Sequence, residues 1–111
     1  MNIKLRNKFD NQISRAVEGL VKFSPDKIIL YGSAARGDFN ADSDIDLLLI
    51  KQGLEKKRMV DRLREANRYL DFGVPVELVV FTPSEIKSRL KQNDYFLQDA
   101  LKEGKVVYEK K

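Results

Sequence analysis

The amino-acid sequence predicts an α/β protein in which helices and strands alternate along the chain. Apolar residues recur at helical spacing near the N-terminus, short β-rich runs follow, and helix-start and helix-stop signals separate these runs. Because alternating elements of this kind pack in layers, we expect helices against a β-sheet. The chain has 111 residues and no internal repeat or linker-like segment, so we expect one domain over residues 1–111.

The first half of the chain is predicted to contain one long helix and two strands. Residues 27–31 form a β-rich run that Gly32 ends, and a short helix is expected from Ser33. After a loop at residues 40–43, residues 44–50 are predicted to form a central strand, because they are apolar on both faces beyond the first few positions. The long helix ends before Ser24, and its apolar stripe comprises Leu5, Phe9, Ile13, Val17 and Leu20.

The second half is predicted to alternate in the same way. Its clearest local signal is a capping box, in which Thr82 and Glu85 flank a proline at the first helical position. The predicted elements are a helix over residues 54–72 that Gly73 ends, a strand over 76–81, helices over 83–90 and 94–103, and an edge strand over 106–108.

The composition excludes several kinds of chemistry. The chain contains neither cysteine nor histidine, so it lacks thiolate chemistry, the commonest general base and the commonest transition-metal ligand. Any metal must therefore be a hard ion bound by oxygen, and Mg²⁺ is the natural candidate.

The net charge and the hydropathy of the chain indicate which partners and which cellular location to expect. The net charge of +4, from 21 basic and 17 acidic residues, suits an anionic ligand but is too small and too dispersed to predict direct nucleic-acid binding. No apolar run approaches the roughly 20 residues that cross a bilayer, and no apolar segment follows the basic N-terminus. We therefore expect a cytoplasmic protein with no membrane partner.

The turn after the first strand is suited to approach phosphates. Gly32 lacks a Cβ, so the backbone can come close to a ligand there, and Ser33 adds a hydroxyl donor. If a helix begins at this point, its free N–H groups favour an anion. Arg36 either neutralises a phosphate or pairs with Asp38 or Asp42, and the sequence leaves both open. An ordinary strand-to-helix turn uses the same residue types, so the turn alone identifies no ligand.

Three acidic residues are candidates for metal binding and catalysis. Asp44 and Asp46 are two apart on a predicted strand, so they face the same side with Cα atoms about 6.6 Å apart. Two such carboxylates repel each other unless a cation lies between them, although Asp44 in a solvated loop and Asp46 at an edge is the alternative. Glu77 joins them if its strand is adjacent. Three carboxylates would hold two Mg²⁺ ions, the arrangement used in polymerase-type phosphoryl transfer.

Two short motifs resemble the signature of the DNA polymerase β-like nucleotidyltransferase superfamily: Gly-Ser-Ala-Ala-Arg-Gly at residues 32–37 and Ser-Asp-Ile-Asp-Leu at residues 43–47. Within it, the chain resembles the minimal nucleotidyltransferases of bacteria and archaea. The resemblance implies an α+β fold with a mixed β-sheet flanked by helices. It also implies the roles of single residues: Gly32 and Ser33 contact the nucleotide triphosphate, Asp44 and Asp46 bind Mg²⁺, and Glu77 stands where the family usually has a third aspartate.

The resemblance further implies a function and a partner. Family members are commonly encoded beside a helical HEPN toxin and act as its antitoxin, in some cases by moving AMP from ATP to a toxin tyrosine. We therefore expect a Mg²⁺-dependent transfer of AMP to a protein hydroxyl. Two alternatives are an antitoxin that neutralises the toxin by binding alone and a transferase with a small-molecule acceptor. Because the nucleotide site and core use most of the chain, we expect another chain or a homo-oligomer to supply the acceptor surface.

Overall fold

The computed structural model describes residues 3–38, 40, 42–71 and 73–111, without the side chains of residues 3, 5 and 6. The fold is a four-stranded β-sheet flanked by helices, which confirms the predicted α+β class. The elements are, in chain order, α1 (Ile3–Leu20), a 3₁₀ segment (Val21–Phe23), β1 (Lys27–Tyr31), α2 (Ser33–Arg36), β2 (Ile45–Ile50), α3 (Met59–Asn67), β3 (Val76–Phe81), α4 (Pro83–Lys91), α5 (Tyr95–Glu103) and β4 (Lys105–Glu109).

The sheet is mixed, with strand order β3-β2-β1-β4. Strand β1 pairs antiparallel with both β2 and β4, whereas β2 pairs parallel with β3. The interior position of β2 and the edge position of β4 confirm two predictions, although β2 begins at Ile45, one residue later than expected. The strand order does not follow from the sequence pattern, and it decides which side chains meet at the site.

Helices cover both faces of the sheet, and the alternation of side chains along each strand divides the core in two. On one face, Leu30, Leu47 and Val80 pack with apolar residues of α1 and α3. On the other face, Leu48 and other strand residues pack against α4 and α5 through a second buried cluster. The members of this second cluster are Ile29, Leu48, Phe81, Ile86 and Leu97.

The predicted stripe of the first helix is confirmed where it is described. Phe9 and Leu20 are buried, and Ile13 and Val17 are partly buried against the same core. The side chain of Leu5 lies outside the described part of the chain. None of the helices among the described residues has both the length and the apolar character needed to span a lipid bilayer.

The predicted helix over residues 54–72 is wrong at both ends, because α3 covers only Met59–Asn67. At the start, the guanidinium group of Arg62 accounts for the difference. It donates to the carbonyl oxygens of Leu54 at 2.6 Å and Lys57 at 3.0 Å, and so holds the preceding segment in turns against the sheet. Helical periodicity in the sequence continues through this segment, but these tertiary hydrogen bonds override it.

At the other end, α3 stops at Asn67 and turns follow it, so Gly73 does not end the helix. The backbone N–H groups of Tyr69 and Leu70 donate to carbonyl oxygens three residues back, at 3.1 and 3.2 Å, so the chain tightens into turns here, and these turns pack against α1. The carbonyl group of Tyr69 approaches Gly19 so closely that a Cβ there would collide with it. Two residues of the predicted elements lie outside the described residues: Phe72 at the end of this predicted helix and Ala41 in the loop predicted at residues 40–43.

The capping box is confirmed at the start of α4. The hydroxyl oxygen of Thr82 accepts a hydrogen bond from the backbone N–H of Glu85 at 3.2 Å, and the Glu85 carboxylate accepts one from the backbone N–H of Thr82 at 2.9 Å. The same carboxylate receives two hydrogen bonds from Arg62, at 2.7 and 2.9 Å. Arg62, only 4% exposed, therefore ties α3 to α4 and to the segment before α3.

Candidate active site

The candidate site is built on a row of three side chains that crosses the sheet. Tyr31 at the end of β1 pairs with Asp46 of β2, and Asp46 pairs with Glu77 of β3. Directly paired residues on adjacent strands project to the same face of a sheet. Because Tyr31 packs against the buried cluster beneath α4 and α5, this row (the acid row) lies on that face of the sheet.

Gly32 brings the backbone turn against the acid row. Its φ of +74° lies in the region that favours glycine, and a Cβ at this position would collide with the Oδ2 atom of Asp46. The carboxylate of Asp46 therefore occupies the space that a side chain at position 32 would fill. This contact explains in physical terms why glycine precedes the short helix, and it joins the predicted phosphate turn to the predicted metal ligand.

Helix α2 begins at Ser33, as the sequence predicts, and its first turn is closed by Gly32. The backbone N–H groups of Ala35 and Arg36 both donate to the carbonyl oxygen of Gly32, each at 3.1 Å. The N–H groups ahead of them, at the start of a helix, have no intrahelical partner. This geometry is compatible with the predicted contact of Gly32 and Ser33 with a triphosphate, which stays a prediction.

Asp46 is the acid whose titration the site perturbs most clearly. Its pKa is raised to about 6, first because burial disfavours the charged form, and then because Glu77 lies within hydrogen-bonding distance and adds its own negative charge. Asp44 contributes further repulsion, whereas the charge of Arg36 acts in the opposite direction. A cation between the carboxylates would relieve this repulsion.

The three predicted acids are not equivalent. Asp46 and Glu77 face each other across two parallel strands, while Asp44 lies just before β2 with an exposed side chain and acts on Asp46 through its charge. Across the described ranges, no three acidic side chains gather closely enough to hold a metal ion by themselves. Mg²⁺ is commonly held by one or two carboxylates together with substrate phosphates, so this donor set fits it. The individual metal ligands stay predictions.

Arg36 lies beside the site but is engaged by acids. Its guanidinium donates to Asp38 at 3.2 Å and approaches the carboxylate of Glu103 within 3.6 Å. Of the alternatives that the sequence left open, the structure therefore shows the pairing with Asp38. Its charge still lowers the pKa of Asp46, so it lies near enough to act on an anion there, and its role in nucleotide binding stays a prediction.

Sequence reasoning missed Tyr31 as a member of the site. Burial, followed by the charges of Asp46 and Glu77, raises the pKa of its hydroxyl to about 12, so Tyr31 is neutral at physiological pH. Its ring meets the ring of Phe96 edge to face, with centroids 5.3 Å apart and an interplanar angle of 87°. Its position next to the Gly-Ser turn was a usable signal, but its place beside Asp46 follows from the pairing of β1 with β2.

Comparison with known proteins identifies the relatives of this chain. Residues 11–111, which include every candidate site residue, match the family model described as polymerase beta, nucleotidyltransferase. A protein of Methanocaldococcus jannaschii is 33% identical over 105 residues, which cover 95% of this chain and 96% of that protein. A second protein of the same organism is 29% identical over 72 residues, covering 63% of this chain and 73% of its own length. Both carry the provisional name protein adenylyltransferase.

A solved structure has the same fold. It comes from Sulfolobus solfataricus and is provisionally described as a nucleotidyltransferase. It superimposes with a TM-score of 0.71 at 22% sequence identity, over 97% of this chain and 86% of that one. At this identity the match supports the architecture, whereas the family assignment rests on the sequence matches.

Proposed function

Because the chain belongs to the polymerase β nucleotidyltransferase family, we propose that it transfers AMP from ATP to a protein hydroxyl in a Mg²⁺-dependent reaction. The observation that carries the proposal is the direct pairing of Asp46 with Glu77 beneath the turn at Gly32. The provisional names of the two archaeal relatives support the choice of a protein as acceptor.

In the proposed reaction, the acceptor oxygen forms a bond to the α-phosphorus of ATP. The bond from that phosphorus to the oxygen bridging the β-phosphate breaks, and pyrophosphate leaves. The acceptor proton passes to a carboxylate, and Glu77 suits this role because it is exposed at the edge strand β3 and lies opposite Asp46.

The remaining site residues bind and orient the nucleotide in this proposal. Gly32 and Ser33 receive the triphosphate at the start of α2, and Arg36 adds a positive charge nearby. Asp44, Asp46 and Glu77, together with the phosphates of the nucleotide, would hold up to two Mg²⁺ ions. Bound Mg²⁺ supplies charge neutralisation on the phosphates and lowers the pKa of an attacking hydroxyl.

We propose further that the acceptor is a HEPN-type helical toxin encoded nearby and that the chain is its antitoxin. The support is the resemblance to minimal nucleotidyltransferases. Neutralisation by binding alone is the competing function, and the glutamate at position 77, where the family usually has aspartate, favours it. The two functions differ in whether the partner becomes covalently modified.

A single reaction separates them. The purified chain is mixed with the neighbouring gene product, ATP and Mg²⁺, and the partner is weighed by mass spectrometry. We expect an AMP adduct that disappears with Asp46→Asn and persists with Asp99→Asn, a matched control because Asp99 is exposed on α5. A partner that binds tightly but gains no mass would contradict the catalytic proposal and support neutralisation by contact.

A further inference from the structure

The acid row has an aromatic neighbour that takes no part in the proposed reaction. Among the described residues, ring contact links one exposed large apolar side chain, Phe96, to this row through Tyr31. Phe96 is 42% exposed although it is the second residue of a helix that packs on β1. The exposed large apolar residues in the described part are Val60, Tyr69, Tyr95, Phe96 and Val106.

The other exposed apolar residues belong to different surfaces. Val60 lies on α3, Val106 lies on the edge strand β4, and Tyr69 pairs its ring with Phe23, at 6.1 Å between centroids. Tyr95 precedes Phe96 on α5 and is 75% exposed. Phe96 is thus the apolar surface that adjoins the acids, and the edge-to-face contact with Tyr31 fixes the orientation of its ring.

A nucleotide in this site has two ends to accommodate. If its α-phosphate lies over Asp46 and Glu77 and its outer phosphates lie at the Gly32 turn, the nucleoside must leave the row in another direction. Helix α2, which follows the turn, packs through Ala35 on the sheet face that α1 and α3 cover, whereas Tyr31 and Phe96 lie on the opposite face, with α4 and α5. A nucleobase is flat, and its stacking on aromatic side chains stabilises binding.

We propose that the exposed face of Phe96, held in place by Tyr31, is the surface on which the nucleobase of the bound nucleotide stacks. This inference rests on the proposed function, because it requires a nucleotide with its phosphates at the turn. It assigns the base to α5, so one wall of the nucleotide site is built by the helix that also closes the core over Ile29 and Leu48.

The test compares two ligands that share a triphosphate and differ in the nucleoside. Calorimetric titrations with ATP and with inorganic tripolyphosphate, both with Mg²⁺, are carried out on the parent chain, Phe96→Ala, Phe96→Leu and Tyr95→Ala. We expect Phe96→Ala to weaken ATP binding about tenfold and to leave tripolyphosphate binding unchanged. Phe96→Leu should lose affinity for ATP in the same direction but less, and Tyr95→Ala should match the parent.

The outcomes separate this inference from the function on which it rests. If the parent binds neither ligand, the proposed function fails. If it binds both and Phe96→Ala retains full ATP affinity, the stacking surface is overturned while the proposed function stands. An equal loss of ATP affinity in Tyr95→Ala would also overturn the stacking surface. So would a Phe96→Ala variant that binds ATP with full affinity but transfers AMP to the protein acceptor more slowly, because Phe96 would then contact the acceptor. Thermal unfolding checks each variant, and Phe96→Leu carries the test should the alanine variant not fold.

Discussion

Asp46 lies directly opposite Glu77 on adjacent parallel strands, and its carboxylate fills the space where a side chain on Gly32 would be. These two contacts join the three parts of the proposed site, because one residue, Asp46, touches both the second acid and the phosphate turn. A substitution at position 32, 46 or 77 should therefore alter the geometry at the other two positions.

Gly32→Ala is expected to abolish transferase activity, because the new Cβ displaces the carboxylate of Asp46. It should also destabilise the fold by about 1 kcal/mol or more, since φ is +74° there. Gly53→Ala is the matched control: φ is +90° but nothing lies within 4 Å of the new Cβ. Activity assays and thermal unfolding should show lost stability in both variants and lost activity only in the first. Full activity in Gly32→Ala would contradict the contact.

Asp46→Asn is expected to be inactive yet more stable than the parent above pH 6. The pKa of Asp46 is about 6 in the folded protein and about 3.9 in an unfolded chain, so the folded state binds the proton more tightly. The contribution of this group to stability is therefore present below about pH 4 and is lost as the pH rises to about 6.

The measurement for Asp46 is thermal unfolding against pH in metal-free buffer, for the parent and the asparagine variant. The difference between their melting temperatures should grow in favour of the variant from pH 4 to pH 7. Asp99→Asn should show no such trend, because Asp99 is exposed on α5 and is not among the groups that shift the pKa of Asp46. A difference that does not change with pH would rule out the crowded carboxylates as its cause.

Glu77→Gln is expected to slow the transfer by about a hundredfold or more, because a proton acceptor of this kind contributes on that scale. Glu77 is exposed, so the variant should fold normally. Glu77→Asp keeps the charge on a shorter side chain and should retain more activity than the glutamine variant. Single-turnover rates at saturating ATP measure the effect, and Glu18→Gln on α1 is the control. Equal rates for the parent and Glu77→Gln would show that Glu77 is not the proton acceptor.

The sequence predicted elements well where their signals are local. Gly32 ends β1, and Thr82 and Glu85 cap α4. Each signal acts within a few residues and needs no knowledge of the sheet. The predicted helix over residues 54–72 failed because its start depends on Arg62, whose partners include residues far along the chain.

The site was predicted in part for the same reason. The alternation of a strand suggested that Asp44 and Asp46 share a face, and composition suggested oxygen ligands. Whether Glu77 meets Asp46 depends on β2 and β3 being neighbours in register, which is a property of the whole sheet. Tyr31 was missed because its role depends on two long-range contacts, with Asp46 across the sheet and with Phe96 on α5.

Arg62→Ala is expected to destabilise the fold by about 3 kcal/mol or more. The buried guanidinium donates to the Glu85 carboxylate and to the carbonyl oxygens of Leu54, Lys57 and Val80, so its removal leaves a partly buried charge and three acceptors without their donor. Chemical denaturation of the parent and the variant measures the loss.

The control for Arg62 is Arg64→Ala on the same helix, since Arg64 is exposed and pairs only loosely with Asp61, at 3.5 Å. Exposed pairs of this kind contribute little, so this variant should unfold almost as the parent does.

The ion pair between Arg62 and Glu85 also makes stability depend on pH. Arg62 lowers the pKa of Glu85 to about 2, so the stability it provides is present above about pH 4.3 and is lost as the pH falls towards 2. Glu85→Gln should therefore remove most of the acid sensitivity of the parent between these pH values, and an unchanged acid transition would show that other carboxylates control it.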